Sequence, residues 1–147
     1  MAEGVLDEED LIFSAQELAD FIVAHLREHN LTDIPVVAVG YSNGANIAAS
    51  LLLLHPGVLS GAILFRAMLP LTPVHPVSLA EVHVLLAAGA RDAMVPVKNV
   101  GRLAEMLRES GATVELQWNP GGHESHVEEI DNARRWLAAK FGVRKNT

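Results

Sequence analysis

The residues best suited to chemistry form the segment Gly40-Tyr41-Ser42-Asn43-Gly44, which fits the pattern G-x-S-x-G. An apolar run at 36–40 precedes Ser42 and small or aliphatic residues at 43–54 follow it, which predicts a sharp turn between a strand and a helix. Such a turn lifts the serine Oγ above the sheet, and flanking glycines keep side chains away from the crowded backbone. We interpret Ser42 as a nucleophile; the alternative is an ordinary tight turn that fits the pattern by chance.

A nucleophilic serine needs a base and an acid that orients the base. Where the serine lies in such a turn between a strand and a helix, the acid and the base follow it along the chain in the order Asp or Glu, then histidine. Asp92 comes soon after the apolar run at 82–88, and His123 follows the last predicted strand behind Gly121 and Gly122. Both therefore fall in loops at the carboxyl ends of strands. The alternatives are a turn or capping role for Asp92 and a surface-loop role for His123.

Two neighbours of His123 offer alternative roles. His126 is the rival base, but it is predicted to lie in the first turn of the last helix, where the helix rather than the loop aims the side chain. Glu124 could replace Asp92 as the acid, although its position beside His123 makes that geometry awkward. His123, Glu124 and His126 could also suggest a metal site, but the sequence offers no partner cluster elsewhere. We therefore expect His123 to be the base, and we expect no metal and no other cofactor.

Helical and strand patterns alternate along the chain. The predicted helices cover residues 8–29, 43–54, 97–109 and 125–141, and the predicted strands cover residues 36–40, 62–65, 82–88 and 113–118. This alternation predicts an α/β fold with a mostly parallel sheet of about four strands and helices on both faces. The run at 36–40 is expected to be covered on both faces, and the run at 113–118 to lie near a sheet edge. We expect a single domain over residues 1–147.

Composition narrows the possible partners. Lys and Arg number 11 against 18 Asp and Glu, which gives a net charge of −7, and nucleic acid or an anionic membrane surface is therefore a poor partner. The chain has no cysteine, which excludes a thiolate nucleophile. It also lacks an apolar stretch of bilayer-spanning length, and its acidic start does not resemble a signal peptide. We expect no membrane span, a cytoplasmic location and a neutral or hydrophobic substrate.

Four segments together resemble the carboxylesterase, phospholipase and dienelactone-hydrolase-like branch of the α/β-hydrolases. They are Gly40 to Ala48, Phe65 to Pro70, Arg91-Asp92 with Val95-Pro96, and Gly121 to His123. The resemblance covers essentially the whole chain and implies Ser42, Asp92 and His123 as a catalytic triad. Dienelactone hydrolases proper use cysteine as the nucleophile, so Ser42 points to the esterase side of the branch.

The sequence departs from this family at its start. Family members begin with further strands, one of them followed by a His-Gly loop that supplies an N–H to the oxyanion hole. This sequence starts at what resembles the helix before the nucleophile strand, so we expect a truncated α/β-hydrolase fold. Asn43 can offer one oxyanion N–H, and loss of the second donor costs about 100- to 1000-fold in rate. The unpaired edge at 36–40 predicts a homodimer or higher oligomer.

The expected function is acyl transfer in two steps, in which a serine carboxylesterase hydrolyses small or short-chain esters. We expect Tyr41, Met68, Leu69 and Val95 to contact the substrate. One alternative is lysophospholipase or thioesterase activity. The other is a non-catalytic, truncated hydrolase that acts as an assembly module.

Overall fold

Helices and strands alternate in the computed structural model, which describes residues 7–73 and 75–142. The elements are α1 (Glu8–Glu28), β1 (Val37–Tyr41), α2 (Asn43–Leu54), β2 (Gly61–Phe65), β3 (His83–Gly89), α3 (Val97–Glu109), β4 (Thr113–Asn119) and α4 (Val127–Phe141). Each predicted element is present, with bounds that shift by one or two residues at most. Asp7 caps α1 by accepting the N–H of Asp10 at 3.1 Å, ahead of three acidic residues that suit the positive end of the helix.

The four strands form one parallel sheet in the order β1-β2-β3-β4. The register places Val39 beside Ile63 and Ile63 beside Leu85, so these side chains lie on the same face of the sheet. Because the strands are parallel, their carboxyl ends all meet at one end of the sheet. The predicted α/β fold with about four strands is confirmed.

Helices pack on both faces of the sheet, as predicted. On one face α2 and α3 cover a set of buried strand side chains, and α1 packs on α2; the strand residues are Ala62, Leu64, Val84 and Leu86. On the other face Ala133 and Trp136 of α4 pack against Ile63, Phe65, Leu85 and Ala87. Burying each large apolar side chain contributes about 1.5–3 kcal/mol. None of the described helices combines the length and the apolar character that crossing a membrane requires.

Strand β1 lies at one edge of the sheet and is less buried than its sequence predicts. Val39 is 63% exposed and Tyr41 is 45% exposed, because α4 packs over β2 and β3 rather than over β1. The prediction that residues 36–40 are covered on both faces is therefore wrong for the described part of the chain. Within that part, β1 does lack a neighbour on its outer side, as predicted.

Strand β4 forms the opposite edge. Val114 and Leu116 lie on the face that α3 covers, whereas Thr113 and Glu115 are exposed on the other. The alternating pattern that predicted an edge strand is confirmed.

Candidate active site

Ser42 lies in the turn between β1 and α2 with φ 55° and ψ −114°. A positive φ is strained for a serine and persists only where the surroundings hold it. Here the Ser42 N–H donates to the Phe65 carbonyl at 2.8 Å, and the Ser42 carbonyl accepts the N–H of Asn46 at 3.0 Å. The predicted strand, turn and helix are therefore all present, and Ser42 has the strained backbone of a nucleophile elbow.

Gly40 allows the start of α2 to approach β1 closely. A Cβ at this position would lie 2.7 Å from backbone atoms of Gly44 and Ala45, so no larger residue fits. A Cβ on Gly44 would meet no described atom within 4 Å. The interpretation that both glycines exclude side chains from a crowded turn is right for Gly40 and wrong for Gly44.

Three side chains from three loops meet beyond the carboxyl ends of the strands. Ser42 Oγ lies 2.8 Å from Nε2 of His123, and His123 Nδ1 lies 2.7 Å from Oδ2 of Asp92. The Asp92 side chain is 1% exposed and the His123 side chain 22% exposed. When Nδ1 carries the ring proton and uses it in a hydrogen bond to Asp92, Nε2 can accept the Ser42 hydroxyl proton. The arrangement can therefore remove a proton from Ser42 as its oxygen attacks an electrophile.

The two carboxylate oxygens of Asp92 have separate partners. Oδ1 accepts the backbone N–H groups of Met94 at 2.8 Å and Val95 at 3.2 Å, while Oδ2 faces His123. Asp92 therefore also fills the turn-stabilising role that its sequence position offered as an alternative. One role does not exclude the other, because each uses a different oxygen.

The loop that carries His123 crosses directly over the end of β3. A Cβ on Gly89 would overlap the carbonyl oxygen of Gly122, so the loop can pass only over a glycine. The Arg91 N–H donates to the Gly121 carbonyl at 3.0 Å and ties the Asp92 loop to the His123 loop. Gly89 thus allows Asp92 and His123 to meet at the end of one strand.

From the sequence, Arg66 was expected only as part of the family-like segment Phe65 to Pro70, in a loop beside the acyl group; in the structure it is buried beside the His123 loop. It follows β2 with φ 59°, and its guanidinium forms a fork with Glu129 at 2.7 and 2.6 Å. It also donates to the carbonyls of Ala87 at 3.0 Å, Gly122 at 3.0 Å and Glu124 at 2.8 Å. Removing one partner of such a buried pair costs about 3–5 kcal/mol. The sequence signal for this buried pair was an arginine at the end of an apolar strand, because a buried arginine needs a partner for its charge.

Tyr41 was predicted to contact the substrate, and the structure adds a contact with the His123 loop. Its hydroxyl donates to the His123 carbonyl at 2.8 Å, and the two ring centroids lie 5.6 Å apart. Its role toward a substrate stays a prediction.

The other three predicted substrate residues lie in loops beside the site. Met68 and Val95 are 8% and 4% exposed and belong to one small apolar cluster, while Leu69 is half-buried against the main core. Two asparagines hold this backbone: Asn46 Oδ1 accepts the N–H of Met68 at 2.8 Å, and Asn99 Oδ1 accepts that of Leu69 at 2.6 Å. These residues form a fixed loop, and their contact with a substrate stays a prediction.

The rival residues have other contacts. His126 is the N-cap of α4, where its backbone N–H donates to Glu129 Oε1 at 3.1 Å. The helix begins at Val127, so the prediction that His126 lies in the first helical turn is wrong. Glu124 offers its carbonyl to Arg66 and exposes its side chain. Within residues 7–73 and 75–142, no three or more His, Asp and Glu side chains are grouped so that they could hold a metal ion.

The start of α2 is suited to an oxyanion. Asn43 is the first residue of α2, so its N–H has no carbonyl partner within the helix and lies at the positive end of the helix dipole. This leaves the Asn43 N–H available as one donor. In the described part of the chain we assign no second donor.

Comparison with known proteins identifies the class to which this fold and site belong. Residues 2–140 match the model of the phospholipase/carboxylesterase family, so the chain belongs to this family of α/β-hydrolases. The resemblance expected from the sequence is confirmed. The chain is 41% identical over 136 residues to the hydrolase-family protein MhqD of Bacillus subtilis (strain 168), a match that covers 92% of this chain and 68% of MhqD.

Two further relatives show how the family varies. The crystal structure of the Bacillus cereus carboxylesterase superposes with a TM-score of 0.90 at 38% identity, covering 96% of this chain and 66% of that protein. A protein of Oryza sativa subsp. japonica described as a probable inactive carboxylesterase is 26% identical, over 91% of this chain and 56% of its own length. The chain thus spans about two thirds of the length of the two Bacillus proteins.

Proposed function

We propose that the chain is a serine carboxylesterase that hydrolyses small or short-chain carboxylic esters through an acyl-enzyme on Ser42. The observation that carries the proposal is the continuous line of hydrogen bonds from Ser42 through His123 to Asp92, at 2.8 and 2.7 Å. This line ends on a strained serine at the start of a helix, where an attacking oxygen and an oxyanion donor lie side by side.

In the first step Ser42 Oγ bonds to the ester carbonyl carbon and its proton passes to His123 Nε2. The oxyanion that forms accepts the N–H of Asn43, and Asp92 stabilises the imidazolium. The bond to the alkoxide leaving group then breaks, and His123 returns the proton to it. A water molecule then attacks the carbonyl carbon of the acyl-enzyme while His123 takes its proton. The bond to Ser42 Oγ breaks and His123 returns the proton to that oxygen, which releases the carboxylic acid and restores the Ser42 hydroxyl.

Substrate choice is proposed from the residues around the site. Tyr41 and Leu69 would contact a small acyl or alkoxy group, and Met68 and Val95 would contact it through the small part of each side chain that is exposed. The net charge of −7 favours a neutral ester over an anionic one. The second candidate, a lysophospholipase or thioesterase, predicts rates that rise with acyl chain length. A cytoplasmic location and the lack of a cofactor stay predictions from the sequence.

A reagent test separates the esterase from a non-catalytic assembly module. We expect a fluorophosphonate to label the protein at a single serine at neutral pH, because only an activated serine attacks such electrophiles. Intact-mass and peptide mass spectrometry should place the adduct on Ser42, and Ser42→Ala should remove it together with the turnover of p-nitrophenyl acetate. Ser125→Ala, which changes an exposed serine within the loop that carries His123, is the matched control. Undiminished labelling of Ser42→Ala would contradict the proposal.

We further propose that β1 pairs with β1 of a second copy. In the described residues β1 is bonded only to β2, and beside it lies a groove of about 520 Å³ lined mainly by apolar side chains, among them Val39, Ile63 and Ile130. Two such edges can pair about a two-fold axis, which satisfies the backbone groups of both and covers both grooves. The partner's backbone would then lie near Ser42, where the second oxyanion donor is needed.

Sedimentation at micromolar concentration tests this assembly. We expect a dimer that Val39→Lys converts to a monomer, since a lysine at the centre of the paired edge is repelled by its symmetry mate. Phe21→Lys is the matched control, because Phe21 lies on α1 and is 65% exposed, against 63% for Val39. A wild-type protein that is a stable, active monomer would show that the edge has no such partner.

A further inference from the structure

Three successive backbone carbonyls around the base are each held by a side chain from a neighbouring strand end. Arg66 donates to the carbonyls of Gly122 at 3.0 Å and Glu124 at 2.8 Å, and Tyr41 donates to the carbonyl of His123 between them at 2.8 Å. Tyr41 ends β1 and Arg66 directly follows β2. The donors therefore come from the two strands that also fix Ser42.

From this geometry we propose that Arg66 and Tyr41 are positioning residues for His123, an inference that rests on the proposed role of His123 as the base. The His123 loop, residues 120–126, lies between β4 and α4 outside any helix or strand. Backbone groups there lack the regular ladder of a sheet or helix, so their hydrogen bonds must come from side chains, from other loops or from water. Arg66 and Tyr41 supply these bonds on both sides of His123 and at His123 itself.

Glu129, on α4, completes this set of contacts; we call Arg66, Tyr41 and Glu129 together the clamp. It pairs with both terminal nitrogens of Arg66, and its Oε1 also accepts the His126 N–H at 3.1 Å. The set thus holds the loop from Gly122 to His126. Because Glu129 neutralises Arg66, the clamp adds no net charge beside the imidazolium that must form on His123 during the reaction.

The two positioning residues differ in how well they tolerate substitution. Arg66 is 1% exposed, and its fork contacts two carboxylate oxygens and three carbonyls, which the single ammonium of a lysine cannot reproduce. Tyr41 is 45% exposed, so Tyr41→Phe removes one hydroxyl and leaves the fold intact. The pair therefore gives one strong variant and one mild variant that does not endanger folding.

We expect Arg66→Lys to lower kcat by about 100-fold and Tyr41→Phe by about tenfold, each with KM unchanged, because a misplaced base slows the chemical step rather than binding. Arg108→Lys is the matched control. Arg108 also donates to a strand carbonyl, that of Val114 at 3.1 Å, but this bond is exposed at the C-terminal end of α3 and does not involve the His123 loop. All rates are measured well below each variant's melting temperature.

A second measurement does not depend on activity. The His123 proton on Nδ1, bonded to Asp92, should give a low-field proton NMR signal, assigned by its loss in His123→Gln. We expect this signal to shift or broaden in Tyr41→Phe and Arg66→Lys and to remain in Arg108→Lys. This result would support the clamp even if the wild type hydrolyses no ester, so the clamp and the proposed function can fail separately. An unchanged signal in both variants, or unchanged kcat in both with an active wild type, would overturn the inference.

Discussion

His123→Ala is expected to lower kcat for ester hydrolysis by about a million-fold, the loss typical when a base is removed from a triad that acts as a unit. His123 Nε2 lies 2.8 Å from Ser42 Oγ, and without it nothing takes the serine proton as the oxygen attacks. KM should change little, since the imidazole acts on the reacting atoms. Single-turnover kinetics with p-nitrophenyl acetate measure the loss directly.

His126→Ala provides the comparison for this experiment. His126 is an exposed N-cap residue whose backbone N–H contacts Glu129, so removing its ring should leave most of the activity. If His126→Ala abolished hydrolysis while His123→Ala retained it, His126 would be the base. Circular dichroism of both variants separates a loss of chemistry from a loss of folding.

Asp92→Asn is expected to lower kcat by about ten-thousand-fold while the protein folds normally. The new amide oxygen can still accept the N–H groups of Met94 and Val95, which preserves the loop. The amide nitrogen then faces His123 Nδ1 and donates to it, so the ring proton moves to Nε2. In this tautomer His123 cannot accept the Ser42 proton.

Thermal melting and steady-state kinetics on the same sample test this prediction. Asp131→Asn is the control, because Asp131 is a partly exposed acid on α4 that pairs with Arg134 at 3.2 Å rather than with His123. Turnover equal to wild type in Asp92→Asn would mean that Asp92 only stabilises its turn. The proposed triad would then need another acid.

The sequence predicts well those features that depend on residues close together in the chain. Periodicity located every helix and strand, and the chain order of Ser42, Asp92 and His123 placed each at the end of a strand. In a parallel sheet those ends meet, so the three side chains could be expected to approach one another. Local pattern was sufficient because each residue belongs to a short motif.

Features that depend on distant residues could not be predicted in this way. The partner of Arg66 is Glu129, 63 positions along the chain, and nothing near either residue indicates the pair. The exposure of Val39 was also missed, because an apolar β-branched run looks the same whether or not a helix covers it. Sequence patterns show that a strand has an apolar face, but not which element packs on it.

The order of the strands has a consequence for how the protein is made. Because β1-β2-β3-β4 is also their order along the chain, the sheet can grow one strand at a time as the polypeptide leaves the ribosome, at about 5–20 residues per second. Ser42 emerges early and His123 late, and α4, which brings Glu129 to Arg66, emerges after both. A nascent chain therefore carries Ser42 without its proposed base until β4 and the His123 loop have been made.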